Sequence, residues 1–215
     1  MIRVKICCIS SVEEARMAVS AGASALGLVG RMPSGPGVIG DELIRTIART
    51  VPPPVATFLL TSEPTVEATI EHQRRVHTNT IQLVDALPKG SYRTLRAALP
   101  DIKLVQVIHV LDDVSVDEAL EAAEEVDALL LDSGNPKLAV KELGGTGRVH
   151  DWKLSRRIVE QAKVPVFLAG GLNAGNVRQA LDHVQPYGLD ICSGVRSEGK
   201  LDERKLGEFF EKIND

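Results

Sequence analysis

Aromatic side chains are scarce in this sequence. Phenylalanine, tyrosine and tryptophan make up only 3% of its 215 residues, so aliphatic side chains must fill the core and no platform exists for stacking nucleic acid bases. The 25 basic and 29 acidic residues are mixed along the chain, with no block of one sign. We therefore expect no nucleic-acid partner and no polybasic membrane patch.

Cysteine occurs only three times, at Cys7, Cys8 and Cys192. This odd number predicts no disulfide framework, and neither the cysteines nor the five histidines have the spacing of a metal site, so no metal is expected. No apolar run approaches the ~20 residues of a membrane span, and the amino terminus has no signal-type apolar segment. We expect a soluble, cytoplasmic protein with no membrane partner.

What the sequence does contain is a regular alternation of apolar runs of strand length with amphipathic segments of helix length. Strands are predicted at 3–7, 25–30, 54–60, 80–83, 102–109, 126–132, 164–169 and 188–192. Helices are predicted at 15–21, after a capping box at 11–14, then at 41–50, from 65 onward, and at 91–99, 116–125, 151–162, 173–183 and 202–213. Strand followed by helix, eight times, is typical of parallel βα units.

Two architectures share this local pattern, an open doubly wound sheet and a closed (β/α)₈ barrel. The strand count favours the barrel, and the first strand ends in Cys7-Cys8-Ile9-Ser10, which lacks the glycine-rich turn of an open dinucleotide-binding sheet. We predict the α/β class and a (β/α)₈ TIM barrel, with a single domain over residues 1–215. The long loops at 31–40 and 133–149 follow strands and would lie at the face where barrel ligands bind.

Two predicted strands end on side chains that can do acid–base chemistry. Asp132 closes an apolar run where an unpaired carboxylate is costly to bury, so it faces a ligand, water or a cation, and a turn cap is an equally good interpretation. Cys7 ends the first strand on the same side as Lys5. A thiol near a cation can act as a base or nucleophile, although an arbitrary buried cysteine is more often a packing residue.

Small residues cluster after three late strands, as Gly144-Gly145-Thr146-Gly147, Gly170-Gly171 and Ser193-Gly194. Successive small residues let backbone N–H groups point at one anion, and the loops after strands seven and eight are the customary phosphate position of these barrels. The expected ligand is a phosphorylated small molecule. Arg31 and Arg148, in the long loops, are further candidates for anion contact, although solvated loop arginines are commoner.

Several motifs occur together along the chain: Cys7, Asp132, 144–147 ahead of Asp151-Trp152, and the runs 168–173 and 186–195. These motifs make the chain resemble, over essentially its whole length, the phosphoribosylanthranilate isomerase family of tryptophan biosynthesis. The resemblance implies a small (β/α)₈ barrel that needs no cofactor and rearranges N-(5-phosphoribosyl)anthranilate to the corresponding carboxyphenylamino-deoxyribulose phosphate. We expect a monomer or homodimer.

The resemblance also implies roles for individual residues. Asp132 would protonate the ribose ring oxygen as general acid, and Cys7 would remove the C2 proton as general base. The phosphate would bind to Gly145, Gly170, Gly171, Ser193 and Gly194.

The first half of the chain departs from the family pattern at three places. Cys8 stands where the family has glycine. The segment after strand two that carries the family's carboxylate-binding arginine is replaced, and Arg31 is the candidate to take over that arginine's role. After strand four, Val84 takes the place of a histidine. The alternative function is a paralogous barrel that acts on, or only binds, another sugar phosphate. Because simple phosphate binding needs neither Cys7 nor Asp132, the pair favours an enzyme.

Overall fold

Eight parallel strands close into a barrel in the computed structural model, which describes residues 2–88, 90–134 and 149–214. Each strand pairs with the next in sequence, and β1 pairs with β8 to complete the ring. The strands are β1 (Arg3–Ile6), β2 (Ala25–Val29), β3 (Ala56–Thr61), β4 (Thr80–Leu83), β5 (Lys103–His109), β6 (Ala128–Asp132), β7 (Val166–Leu168) and β8 (Gly188–Ile191). The predicted (β/α)₈ TIM barrel is confirmed.

Helices alternate with these strands along the chain. In the described residues they are α1 (Val12–Ser20), α2 (Asp41–Thr50), α3 (Val66–Val76), α4 (Ser91–Ala98), α5 (Val114–Ala123), α6 (Trp152–Gln161), α7 (Val177–Val184) and α8 (Glu203–Asn214). Between β8 and α8 lie a 3₁₀ turn (Ser193–Val195) and a hairpin of β9 (Arg196–Ser197) and β10 (Lys200–Leu201). None of the helices described is both long and apolar enough to span a membrane.

The strand side chains form two apolar layers because successive residues point to opposite faces of the sheet. On β5, Val105 and Val107 belong to the cluster inside the barrel, whereas Leu104 and Ile108 belong to the larger cluster between barrel and helices. Aliphatic residues dominate both clusters, as the low aromatic content predicts. The barrel interior is therefore a packed core, and ligands are confined to its mouth.

Capping side chains set where several of the helices begin. The Ser11 hydroxyl accepts a hydrogen bond from Glu14 N at 3.1 Å, and Thr65 caps α3 in the same way through Ala68 N at 3.2 Å. Helix α7 starts at Val177, four residues later than the sequence predicts. Asn173 and Asn176 explain the delay, because Asn173 Oδ1 accepts from Gly175 N and Asn176 Oδ1 accepts from Asn173 N, each at 2.8–2.9 Å.

Candidate active site

The carboxyl ends of the strands surround a cleft with roughly 700 Å³ of empty space, part of it open to solvent. Cys7 and Asp132, from opposite sides of the barrel, both line this cleft, and so do Gly170, Gly171 and Ser193. The two predicted acid–base positions and three of the predicted phosphate positions therefore share one cavity. Gly145, the remaining glycine predicted to bind phosphate from the loop after β6, lies outside the described residues.

Asp132 is a buried carboxyl at the last position of β6. Only 8% of the residue is exposed, and Oδ1 accepts a hydrogen bond from Ser133 N at 2.8 Å. Burial raises the pKa of Asp132 above its usual range, against the opposing effects of the Ser133 hydrogen bond and of attraction to His109. A raised pKa favours the protonated form of the carboxyl group, the form that a general acid needs.

His109 is the neighbour of Asp132 across the β5–β6 pairing, where the two residues are in register. Its Nε2 lies 3.1 Å from the Val84 carbonyl oxygen, so Nε2 carries a proton and donates it to that acceptor. Within the described part of the chain, the buried Nδ1 has no hydrogen-bond partner. The contact with Val84 is that of a hydrogen-bonded structural histidine at a strand end.

A buried ion pair lies beneath the cleft on the other side of the barrel. Lys5 is fully buried, and its Nζ lies 2.7 Å from Asp190 Oδ1, where β1 and β8 are in register. Burial alone would lower the pKa of Lys5, but the Asp190 carboxylate outweighs it and raises the pKa well above its usual range. Lys5 is therefore a permanent cation close to Cys7.

Gly27 on β2 makes room for this arrangement. A Cβ at that position would lie 2.8 Å from Cys7 Sγ and 3.1 Å from Lys5 Nζ, so any side chain there would collide with both. The sequence prediction missed Gly27 and Asp190. The available signal was an acidic residue inside the apolar run 188–192, which has to meet a cation when the strand is buried.

The loops after β7 and β8 form a continuous surface of small residues. Gly170 and Gly171 adopt φ values of +85° and +63°, a backbone region that favours glycine. A Cβ on Gly194 would lie 2.0 Å from the Leu172 carbonyl oxygen, so glycine is needed for the two loops to touch. Gly170, Gly171 and Ser193 line the cleft, whereas Gly194 lies against Leu172 and is not part of the lining formed by the described residues.

Comparison with known proteins agrees with this geometry. The family model of N-(5'-phosphoribosyl)anthranilate (PRA) isomerase matches residues 4–212. The chain is 36% identical to N-(5'-phosphoribosyl)anthranilate isomerase 2 of Methanosarcina mazei over 213 residues, covering 98% of this chain and 93% of the relative. This chain belongs to the PRA isomerase family. The resemblance predicted from the sequence is thereby confirmed.

Two solved structures of PRA isomerases superpose on the whole chain. One, in complex with reduced 1-(o-carboxyphenylamino)-1-deoxyribulose 5-phosphate, has a TM-score of 0.82 at 28% identity and covers 100% of this chain and 99% of its own. The other consists of monomers generated from the dimeric enzyme of Thermotoga maritima, with a TM-score of 0.80 at 26% identity and the same coverage. The solved family members thus include a protein that binds a phosphorylated ligand and one that is naturally dimeric.

The backbone conformation at position 8 favours glycine, the residue that the resemblance implies there. Cys8 adopts a φ of 61°, in the left-handed region that disfavours residues with a side chain. Its side chain is accommodated by Gly37 in the loop after β2, where a Cβ would lie only 2.5 Å from that of Cys8. The chain therefore holds a buried cysteine in a conformation that favours glycine, and Gly37 on a neighbouring loop leaves space for its side chain.

Among the described residues, Cys192 lines the cleft and Arg31 does not. The Arg31 side chain is exposed, and among the described residues it is Met32, Ser34, Gly35 and Pro36, not Arg31, that bring this loop to the cleft. Its role toward a carboxylate stays a prediction. Cys192, directly after β8, lines the cleft. Hydrogen bonding from Cys8 and attraction to Arg196 lower the pKa of Cys192, although burial opposes them.

Proposed function

We propose that this protein catalyses the Amadori rearrangement of N-(5-phosphoribosyl)anthranilate to 1-(o-carboxyphenylamino)-1-deoxyribulose 5-phosphate. The observation that carries the proposal is that Cys7 and a buried Asp132 with a raised pKa line one cleft with the small residues after β7 and β8, in a chain of the PRA isomerase family. No described feature favours the alternative of a barrel acting on, or only binding, another sugar phosphate.

Asp132 acts first in the proposed mechanism. Its carboxyl proton passes to the ribose ring oxygen, the bond between that oxygen and C1 breaks, and the substrate nitrogen supplies the electron pair that forms a protonated Schiff base. The pKa of Asp132 is raised above its usual range, mainly by burial, and this favours the protonated form that donates here. The Ser133 N–H bonded to Oδ1 then stabilises the carboxylate that remains.

Cys7 acts in the second step. Its thiolate removes the proton from C2, the C2–H electron pair forms the C1–C2 double bond, and the Schiff base becomes a neutral enolamine. The Lys5 ammonium beside Cys7 attracts the negative sulfur electrostatically, and Asp190 keeps that ammonium charged and fixed. Tautomerisation of the enolamine gives the ketone, so that substrate and product have the same composition.

The two ends of the substrate are bound by different loops. We assign the phosphate to the loops after β7 and β8, through Gly170, Gly171, Ser193 and Gly194, with Gly145 as a further contact. The anthranilate ring is assigned to the loop after β2, where Met32 and Pro36 line the cleft. Arg31 at the start of that loop is the candidate partner of the anthranilate carboxylate.

A growth experiment tests this function. We expect the gene to restore growth without tryptophan to a bacterial strain that lacks PRA isomerase, and the Cys7→Ala variant to fail. Absence of growth with a folded, expressed wild-type protein would contradict the proposal. A cytoplasmic location and a monomeric or homodimeric state are proposed with it, and sedimentation of the purified chain distinguishes the two assembly states.

A further inference from the structure

A buried ion pair joins the first turn of α1, which follows β1, to the segment after β8. The Arg196 guanidinium meets the Glu14 carboxylate through two hydrogen bonds, Nη1 to Oε1 at 3.0 Å and Nη2 to Oε2 at 2.9 Å. The two side chains are only 8% and 11% exposed. Such a two-point contact fixes the plane of the guanidinium as well as its position.

The same guanidinium holds the backbone that carries Cys7. Its Nη2 donates to the carbonyl oxygen of Cys7 at 3.4 Å and also to that of Cys8. Glu14 holds the other end of this segment, because its Oε2 accepts a hydrogen bond from Ser10 N at 2.9 Å. One ion pair therefore fixes both ends of the turn that follows β1.

The backbone at this turn is under strain. The left-handed region is unfavourable for a residue with a side chain, and such conformations persist where the surroundings enforce them. At Cys8, with φ of 61°, the enforcing contacts are Arg196 on the carbonyl and Gly37 against the side chain. Loss of the Arg196 contact would let the peptide after Cys7 rotate toward an unstrained conformation.

We propose that Arg196, held by Glu14, is a positioning residue that aims the Cys7 sulfur at the C2 proton, an inference that rests on the function proposed above. Among the residues that the structure describes, Arg196 is not part of the cleft lining, so it acts through Cys7. It also directly follows the turn Ser193–Val195, so it ties the loop of the base to a loop assigned to the phosphate. Sequence analysis did not single out Arg196 or its ion pair.

The test compares Arg196→Met with Arg204→Met, a control at an exposed arginine that pairs with Glu208 on α8. Because a small misplacement of a catalytic group is costly, we expect Arg196→Met to lower kcat by about tenfold to a hundredfold, with a much smaller change in KM. Arg204→Met should match the wild type. Arg196→Lys keeps the charge but lacks the planar fork, so an intermediate kcat is expected.

A second substitution separates positioning from a general loss of stability. Glycine adopts the φ of residue 8 without strain, so Cys8→Gly in the Arg196→Met background should recover a large part of kcat. If Arg196→Met does not fold, the same comparison is made in Arg196→Lys. Three results would each overturn the positioning role alone. They are a kcat of Arg196→Met equal to that of Arg204→Met, an effect of Arg196→Met on KM but not on kcat, and no recovery of kcat with Cys8→Gly. A folded wild type without turnover overturns both proposals.

Discussion

At the scale of single residues, Asp132 combines a catalytic advantage with a cost in stability. Burial raises its pKa above the ordinary value of 3.8, so the folded chain binds a proton at this site more tightly than the unfolded chain does. The stabilising effect of that proton is complete below the pKa of the unfolded chain. It is lost as the pH rises through the raised pKa of the folded chain. At neutral pH the acid therefore makes the fold less stable than a neutral residue would.

Replacement of this acid should separate activity from stability. We expect Asp132→Asn to lower kcat by about 10²–10⁴-fold, because the ring oxygen loses its proton donor. The same substitution should raise the free energy of unfolding at neutral pH by about 0.5–2 kcal/mol, since a neutral amide replaces a buried ionisable group and can still accept from Ser133 N. Steady-state kinetics and urea unfolding measure the two effects. A variant with wild-type kcat would remove Asp132 from the mechanism.

The candidate residues differ in how visible they are in the sequence. Cys7 and Asp132 end apolar runs, and that local pattern places them at the mouth of the barrel. The partnership of Lys5 with Asp190 depends on the register between the first and last strands, which no local pattern encodes. The same holds for Glu14 and Arg196, whose contact joins distant parts of the chain.

At the scale of elements, the barrel closes where β1 pairs with β8, and a buried ion pair lies on this seam. The strand positions were predictable because each strand is an apolar run between turn signals, and β4 has the predicted bounds 80–83. The start of α7 was not predictable, because the asparagine side chains there compete for the backbone hydrogen bonds that a helix needs. Apolar periodicity alone does not report that competition.

Removal of one partner of the seam ion pair should be more harmful than removal of both. Lys5→Met leaves the Asp190 carboxylate buried without its cation, and we expect a loss of about 3–5 kcal/mol in the free energy of unfolding. The double variant Lys5→Met/Asp190→Leu should recover much of this loss, because an apolar pair needs no charge partner. Urea unfolding of the three proteins provides the comparison. A single variant as stable as the wild type would show that the pair contributes little to closure.

At the scale of the whole molecule, buried titratable groups set how stability depends on pH. Burial lowers the pKa of His150 to about 4, so the unfolded chain takes up a proton from its ordinary pKa of 6.5 downward and the folded chain does not. Burial also lowers the pKa of His72.

A buried carboxylate adds a second effect of pH. Burial opposes ionisation of Glu14, but hydrogen bonds from Arg196 and the backbone lower its pKa below 4.5. Stability gained from that carboxylate is lost as the pH falls through its lowered pKa.

The unfolding midpoint in urea should therefore fall in two stages on acidification. The first stage, between about pH 6.5 and pH 4, comes from the histidines and is partly offset by proton uptake at Asp132. The second stage, at lower pH, comes from carboxylates such as Glu14. His150→Gln should weaken the first stage, because glutamine can still bond to Ser155 Oγ, 2.6 Å from His150 Nε2, without taking up a proton. A midpoint that stays constant through the first stage would contradict the assigned effect of the buried histidines.

The most direct test of the account is the loss of anthranilate fluorescence when purified protein is added to freshly generated N-(5-phosphoribosyl)anthranilate. We expect rapid decay with the wild type and a rate lower by orders of magnitude with Cys7→Ala, while binding of the reduced product analogue survives. Equal rates in the two proteins would contradict the role of Cys7. No decay with a folded wild type would contradict the isomerase activity itself.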